Sequence, residues 1–302
     1  MSKLNYSKLG FIGLGIMGKP MAKNLINAGF SLIVHNRSQS PADELATLGA
    51  RVANSPAEVA QLSSVVITML PNSPDVEQVA LGKNGIIEGA SEGAVMIDMS
   101  SIAPLVSQKI ARELEARGID FLDAPVSGGE IGAIQGTLAI MVGGKEEIFQ
   151  RCHPIFQALG KSIVHLGPVG AGGIAKLANQ IIVALNIAAV GEAFALASKA
   201  GLDLEKLFQA IRGGLAGSQV MEAKIPKILQ RNFAPGFKIK LHQKDIANVL
   251  ATAAGLQVPL PLTGMVAQIL SALMADEKGE LDHGAIIQFV EKLAHVEIQR
   301  GN

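Results

Sequence analysis

The sequence predicts an α/β fold: an N-terminal doubly wound, mostly parallel sheet, followed by an all-helical C-terminal domain beginning with a long interdomain helix. Three observations carry this. Short apolar runs alternate with capped helical segments through the first half of the chain. A glycine-rich turn closes the first of those runs and opens a helix. Beyond Gly167 and Pro168 the strand signals stop, and a helical stretch of about thirty residues begins, roughly 45 Å long at 1.5 Å per residue. The boundary is therefore set at residue 168, giving domains 1–168 and 169–302.

In chain order, residues 9–13, 31–35, 65–70, 94–99, 120–123 and 138–142 read as strands. Each lies within the length range of a buried strand, and several are nearly continuous apolar runs, as parallel strands covered on both faces must be. Ser40-Pro41 reads as an N-cap with proline at the first helical position, and Gly49 ends that helix. Ser55-Pro56-Ala57-Glu58 is a capping box, Ser73-Pro74 repeats the cap-plus-proline signal, and Gly118 stops the helix before it. Strands alternating with capped helices imply right-handed crossovers and a sheet covered on both sides. After the long helix, Gly213-Gly214, Pro235-Gly236 and the Pro259/Pro261 pair separate further helical segments, with no strand pattern among them.

Composition removes several functions. Lys plus Arg and Asp plus Glu each number 26, so no basic field exists to attract nucleic acid or an anionic membrane. Cys152 is the only cysteine, which excludes an intramolecular disulfide and a cysteine-rich metal site, and it reads as a packed thiol. The six histidines show no metal-ligand spacing, and no nucleophile elbow is present. The first eight residues hold no apolar run long enough for a secretory signal, so a cytoplasmic location is expected. The apolar stretch 180–199 is interrupted by Asn186 and Glu192, which suits a buried helix better than a membrane span. A hydrophobic fraction of 49% beside only 17% charged residues points to surface covered by further copies of the chain, in a homodimer or homotetramer.

The chemistry begins at Gly13-Leu14-Gly15-Ile16-Met17-Gly18, a dinucleotide fingerprint of the Rossmann type. Gly13 permits the tight turn, Gly15 lets the backbone approach a pyrophosphate, and Gly18 allows close packing of the helix on the sheet. The helix N-terminus offers unpaired N–H groups to phosphate. The second strand ends at Asn36-Arg37-Ser38, where an NAD site normally places a carboxylate for the ribose hydroxyls. A guanidinium suits a 2′-phosphate instead, so NADPH is favoured and NADH stays usable.

Two further stretches carry polar groups in telling places. Ser127, Gly128 and Gly129 follow the strand at 120–123, where successive N–H groups form a nest for a carboxylate. An ordinary Ser-Gly-Gly turn has the same spelling. Lys176, Asn179 and Gln180 share one face of an otherwise apolar helix, because residues three and four apart are neighbours there. Buried polar groups need partners, which a substrate oxygen or an internal hydrogen-bond network would supply.

Together with Phe237 and Lys244-Asp245, these motifs resemble the β-hydroxyacid dehydrogenase family, in order and over nearly the whole chain. The stretches 176–187, 210–218 and 231–237 are most similar to the branch that reduces tartronate semialdehyde. The resemblance implies a nicotinamide-dependent enzyme acting on a small semialdehyde or hydroxy acid. It implies Lys176 as the catalytic acid and base, Ser127, Gly128 and Gly129 as the substrate-carboxylate loop, and Leu70, Pro71 and Ser101 as cofactor-lining positions. Phe237, Lys244 and Asp245 match the helical segment that closes over the nicotinamide. Many members carry two asparagines after the lysine, whereas here Asn179 precedes Gln180, and either carboxamide could orient the substrate.

Overall fold

The computed structural model describes residues 8–300, so the segment read for a secretory signal falls almost entirely outside the described residues. The chain forms two compact units, Met1–Lys176 and Leu177–Asn302, dividing inside the long helix.

The first unit is built on one sheet of nine strands. They are β1 (Lys8–Ile12), β2 (Ser31–His35), β3 (Arg51–Val52), β4 (Val65–Thr68), β5 (Val95–Asp98), β6 (Asp120–Asp123), β7 (Val126–Ser127), β8 (Leu138–Gly143) and β9 (Gly160–Gly167). The order β3-β2-β1-β4-β5-β6 is parallel throughout, reversing direction on either side of β1. β8 then runs antiparallel to β6 and β7, and β9 lies parallel to β8. Successive residues point to opposite faces of a strand. Leu9, Phe11, Val65, Ile67, Val95 and Ile97 accordingly enter one core, while Ile12, Val66 and Met96 enter the other. Helices cover both faces, as the apolar runs require.

Three strands have no counterpart in the apolar pattern. β3 and β7 are two residues long, too short to show a period. β9 contains Lys161, Ser162 and His165 and is mostly exposed, so its sequence lacks the run that marks a covered strand.

Helix starts follow the expected residues with two shifts. The Ser55 hydroxyl accepts from the Glu58 N–H at 3.1 Å. The Glu58 carboxylate reaches back to the Asn54 N–H rather than to Ser55. Ser40 is not a cap but the first residue of the helix Ser40–Ala46, so Pro41 sits second. The cap before Pro74 is Asn72, whose side chain accepts from the Ser73 N–H, while the Ser73 hydroxyl accepts from the Ala103 N–H at 3.1 Å. Ser73 thus tethers one loop to another.

The second unit holds only helices among its described residues, apart from an isolated bridge between Lys238 and Asp282. It opens with the part of the helix Ala171–Lys199, 29 residues long, that lies beyond Lys176. Ile187, Phe194, Phe208, Ile225, Ile246, Leu270 and Ile286 form its core. By length and hydropathy the long helix could cross a membrane. Two of its polar residues, Lys176 and Gln180, are nevertheless buried, while Ile182 and Leu196 are 61% and 75% exposed. Only one side of the helix is therefore covered within the protomer. Cys152 lies in the sheet core, where burial pushes its thiol up to about 12, so it stays neutral and inert.

Candidate active site

The glycine fingerprint occupies the carboxyl end of β1, at the point where strand order reverses and doubly wound sheets bind ligands. Gly13 has φ +96°, and a Cβ there would lie 2.3 Å from the Met69 carbonyl oxygen. A Cβ on Gly18 would lie 1.9 Å from the Gly13 carbonyl oxygen, so this glycine lets the loop fold onto its own helix. At Gly15 a Cβ meets no protein atom within 4 Å. The space beside it belongs to no side chain of this protein. The helix Gly18–Asn27 begins with no side-chain cap and no acidic residue in its first turn, leaving its dipole unopposed toward an anion. These residues fit a dinucleotide. Leu14 is buried, whereas Ile16 is half exposed at the rim.

Asn36 links that loop to the next. Its side-chain oxygen accepts from the Leu14 N–H at 2.9 Å, and its amide donates to the Ser38 carbonyl and hydroxyl, each at 2.8 Å. The Arg37 side chain is exposed beside this bracket.

Leu70, Pro71 and Ser101 follow the carboxyl ends of β4 and β5. A buried network sets them. The Thr68 hydroxyl donates to the Asp98 carboxylate at 2.7 Å, the Ser100 N–H reaches the same oxygen, and the Ser100 hydroxyl accepts from the Leu70 N–H at 2.8 Å. Thr68, Asp98 and Ser100 were not singled out by motif, because each looks like an ordinary strand-end residue.

Ser127 ends β7, and the two glycines after it have φ +135° and +61°. Positive φ at two successive positions is open to glycine and strained for residues with a Cβ, so the loop needs both glycines. Asp123, just upstream, makes contacts that no local pattern signals. Its Oδ1 accepts from the Gly170 N–H at 2.8 Å and its Oδ2 from the Gly173 N–H at 2.7 Å. The long helix thus starts on a carboxylate from the sheet. Burial pushes the Asp123 carboxyl up to about 6, although these two N–H bonds pull the other way. Lys176, one turn further, is 8% exposed.

In the second unit, the Gln180 amide donates to the Asp245 carboxylate at 2.6 Å, and the Asn179 amide donates to the Gln180 oxygen at 2.9 Å. The Lys244 ammonium lies 2.9 Å from the other Asp245 oxygen. Gln180 is therefore held on both sides within the unit, and Asn179 beside it is half-buried. Phe237 packs edge-on against the rings of His242 and His283, which meet nitrogen to nitrogen at 3.0 Å. Asp282 braces the turn before it by accepting from the Gly236 and Phe237 N–H groups. Two surface clefts of 620 and 420 Å³ contain none of these residues.

Residues 8–167 match the family described as the NAD binding domain of 6-phosphogluconate dehydrogenase, and residues 170–290 the NAD-binding family of NADP-dependent 3-hydroxyisobutyrate dehydrogenase. The chain belongs to the β-hydroxyacid dehydrogenase family. It is 47% identical to a 2-hydroxy-3-oxopropionate reductase of Escherichia coli, over 95% of this chain and 98% of that one. A 2-(hydroxymethyl)glutarate dehydrogenase of Eubacterium barkeri is 38% identical over 97% and 98%. Among solved structures, a 3-hydroxyisobutyrate dehydrogenase of Mycobacterium tuberculosis, determined with L-serine, superposes with a TM-score of 0.87. It shares 33% identity over 94% of this chain and 99% of that one. As a β-hydroxyacid dehydrogenase, this chain is a nicotinamide-dependent oxidoreductase of small molecules.

Proposed function

We propose that this enzyme reduces tartronate semialdehyde (2-hydroxy-3-oxopropionate) to glycerate, with NADPH preferred and NADH usable. The observation that carries the reading is a buried lysine, Lys176, one turn into a long apolar helix. The 47% identity to a reductase of that substrate supports it. When bound, the dinucleotide supplies the hydride that adds to the aldehyde carbon.

The chain's own residues do the rest. As the carbonyl π electrons move onto oxygen, Lys176 stabilises the developing alkoxide and gives it a proton. Ser127, Gly128 and Gly129 hold the substrate carboxylate through backbone N–H groups and the hydroxyl. Asn179 and Gln180 orient the substrate oxygens, with the Asp245 carboxylate bracing the pair through Gln180. Gly13, Gly15 and Gly18 shape the pyrophosphate loop, Leu70, Pro71 and Ser101 line the cofactor, and Arg37 meets the 2′-phosphate.

A second reading takes 3-hydroxyisobutyrate as substrate, on the likeness to the mycobacterial structure. Steady-state rates with tartronate, succinic and glyoxylic semialdehydes and 3-hydroxyisobutyrate, each with both cofactors, decide between them. Tartronate semialdehyde with NADPH is expected to give the highest kcat/KM, and a clear preference for 3-hydroxyisobutyrate would replace the assignment. Lys176→Ala should lower kcat on the order of a hundredfold with cofactor KM little changed. Near-normal turnover would remove Lys176 from the mechanism.

A further inference from the structure

The carboxylate of Asp123 spans two N–H groups, those of Gly170 and Gly173, which lie 47 and 50 residues along the chain. Those groups belong to the open end of a 29-residue helix, where N–H groups lack partners of their own. Lys176 follows Gly173 by less than one turn. We propose that Asp123 is a positioning residue: as a carboxylate it clamps the first turn of the long helix to the sheet, fixing the height and rotation at which Lys176 meets the substrate. The proposal rests on the reading of Lys176 as the proton donor.

The clamp has little room to relax. A Cβ on Gly172 would lie 2.3 Å from the Met141 carbonyl oxygen and 2.6 Å from that of Asp123. One on Gly143 would lie 2.5 Å from Asp123 Oδ1. The helix start is thus pressed onto β6 and β8, and Asp123 is its only polar side-chain hold among the described hydrogen bonds of Gly170 and Gly173.

The surroundings make the clamp depend on charge. Asp98, the register partner of Asp123 on β5, is a second buried carboxylate facing it. β8 presents Gly143 and the Met141 carbonyl, and Pro104 packs against Gly173 from the helix Pro104–Glu115. Lys176 is the first charged residue of the long helix itself. With burial dominant, Asp123 takes up a proton near pH 6. A protonated carboxyl presents an O–H where one N–H needs an acceptor, and a buried donor without an acceptor is costly. The two-point clamp then becomes a one-point clamp. Asparagine in its place has the same defect at every pH.

The experiment joins kinetics to a spectroscopic probe on full-length protein labelled with ¹⁵N-glycine. The amide shifts of Gly170 and Gly173 and the saturated kcat with tartronate semialdehyde are followed between about pH 5 and 8. Amide shifts and kcat are expected to change together near pH 6. In Asp123→Asn both transitions should vanish, and kcat at neutral pH should fall about tenfold with KM for NADPH nearly unchanged, as for a small misplacement of a reacting group. A role in stability alone would lower the melting temperature and leave the pH limb of kcat in place. An acid limb that persists in Asp123→Asn overturns the proposal, as do glycine amides that do not titrate. If the variant fails to fold, wild-type transitions separated by more than about one pH unit overturn it equally. A wild type that turns over neither the semialdehydes nor 3-hydroxyisobutyrate overturns the proton-donor reading and the catalytic use of the clamp with it. The amide titration, which needs no substrate, then tells that failure apart from failure of the clamp.

Discussion

Asn36 and Arg37 are neighbours in sequence with different tasks. Asn36 is fixed by three hydrogen bonds and holds two loops together, whereas Arg37 extends into solvent. A charge-assisted contact from Arg37 to a 2′-phosphate is worth roughly 1.5–3 kcal/mol, and exposure places it toward the low end. Arg37→Ala should raise KM for NADPH by about tenfold and leave KM for NADH nearly unchanged. Steady-state titrations of both cofactors check this, and equal effects would show that the arginine does not read the phosphate. The same scale shows where sequence reading stops. Lys176, Asn179 and Gln180 are visible as one polar helical face, because their spacing is local. That Gln180 binds Asp245 depends on a residue 65 positions away, and no spacing rule reaches that far.

Among the elements, the glycine loop was the most legible, since each glycine answers to a separate steric demand within a few residues. Gly15 and Gly18 make opposite predictions. Gly15→Ala places its methyl in open space, so the protein should melt as the wild type does while losing affinity for NADPH. Gly18→Ala drives a methyl into the Gly13 carbonyl and should cost roughly 1–3 kcal/mol of stability as well. Thermal melts with and without NADPH separate the two, and equal loss of stability in both would contradict the steric account. The strands β1, β2, β4 and β5 were legible for a related reason: the inner part of a strand covered on both faces must be apolar. β9 escaped because its exposed positions are free to carry Lys161 and Ser162.

On the scale of the molecule, the low charge content and the long apolar helix point the same way. Ala178, Ile182, Ala189, Ala193 and Leu196 are all exposed and recur at intervals of three, four and seven, which places them on one stripe of the helix. Exposed apolar stripes of this extent mark protein interfaces. A second copy is the expected cover, in a two-fold dimer or a tetramer made of dimers. Light scattering at micromolar concentration should return at least twice the protomer mass of 31.4 kDa. A monomeric mass would refute the assembly, and Leu196→Lys should shift the equilibrium toward smaller species if the stripe is the contact.

The sequence by itself determined the class of fold, the dinucleotide loop and the place of the lysine. Apolar periodicity, glycine turns and helical spacing act over a few residues, and such local demands are written directly in the chain. Tertiary structure alone decided which groups complete one another's hydrogen bonds: Asp123 with the start of the long helix, Gln180 with Asp245, and Asp282 with the turn that carries Phe237. The reason is physical. A buried polar group must find a partner wherever the fold brings one, and these partners lie between 45 and 65 residues away, beyond the reach of any local pattern.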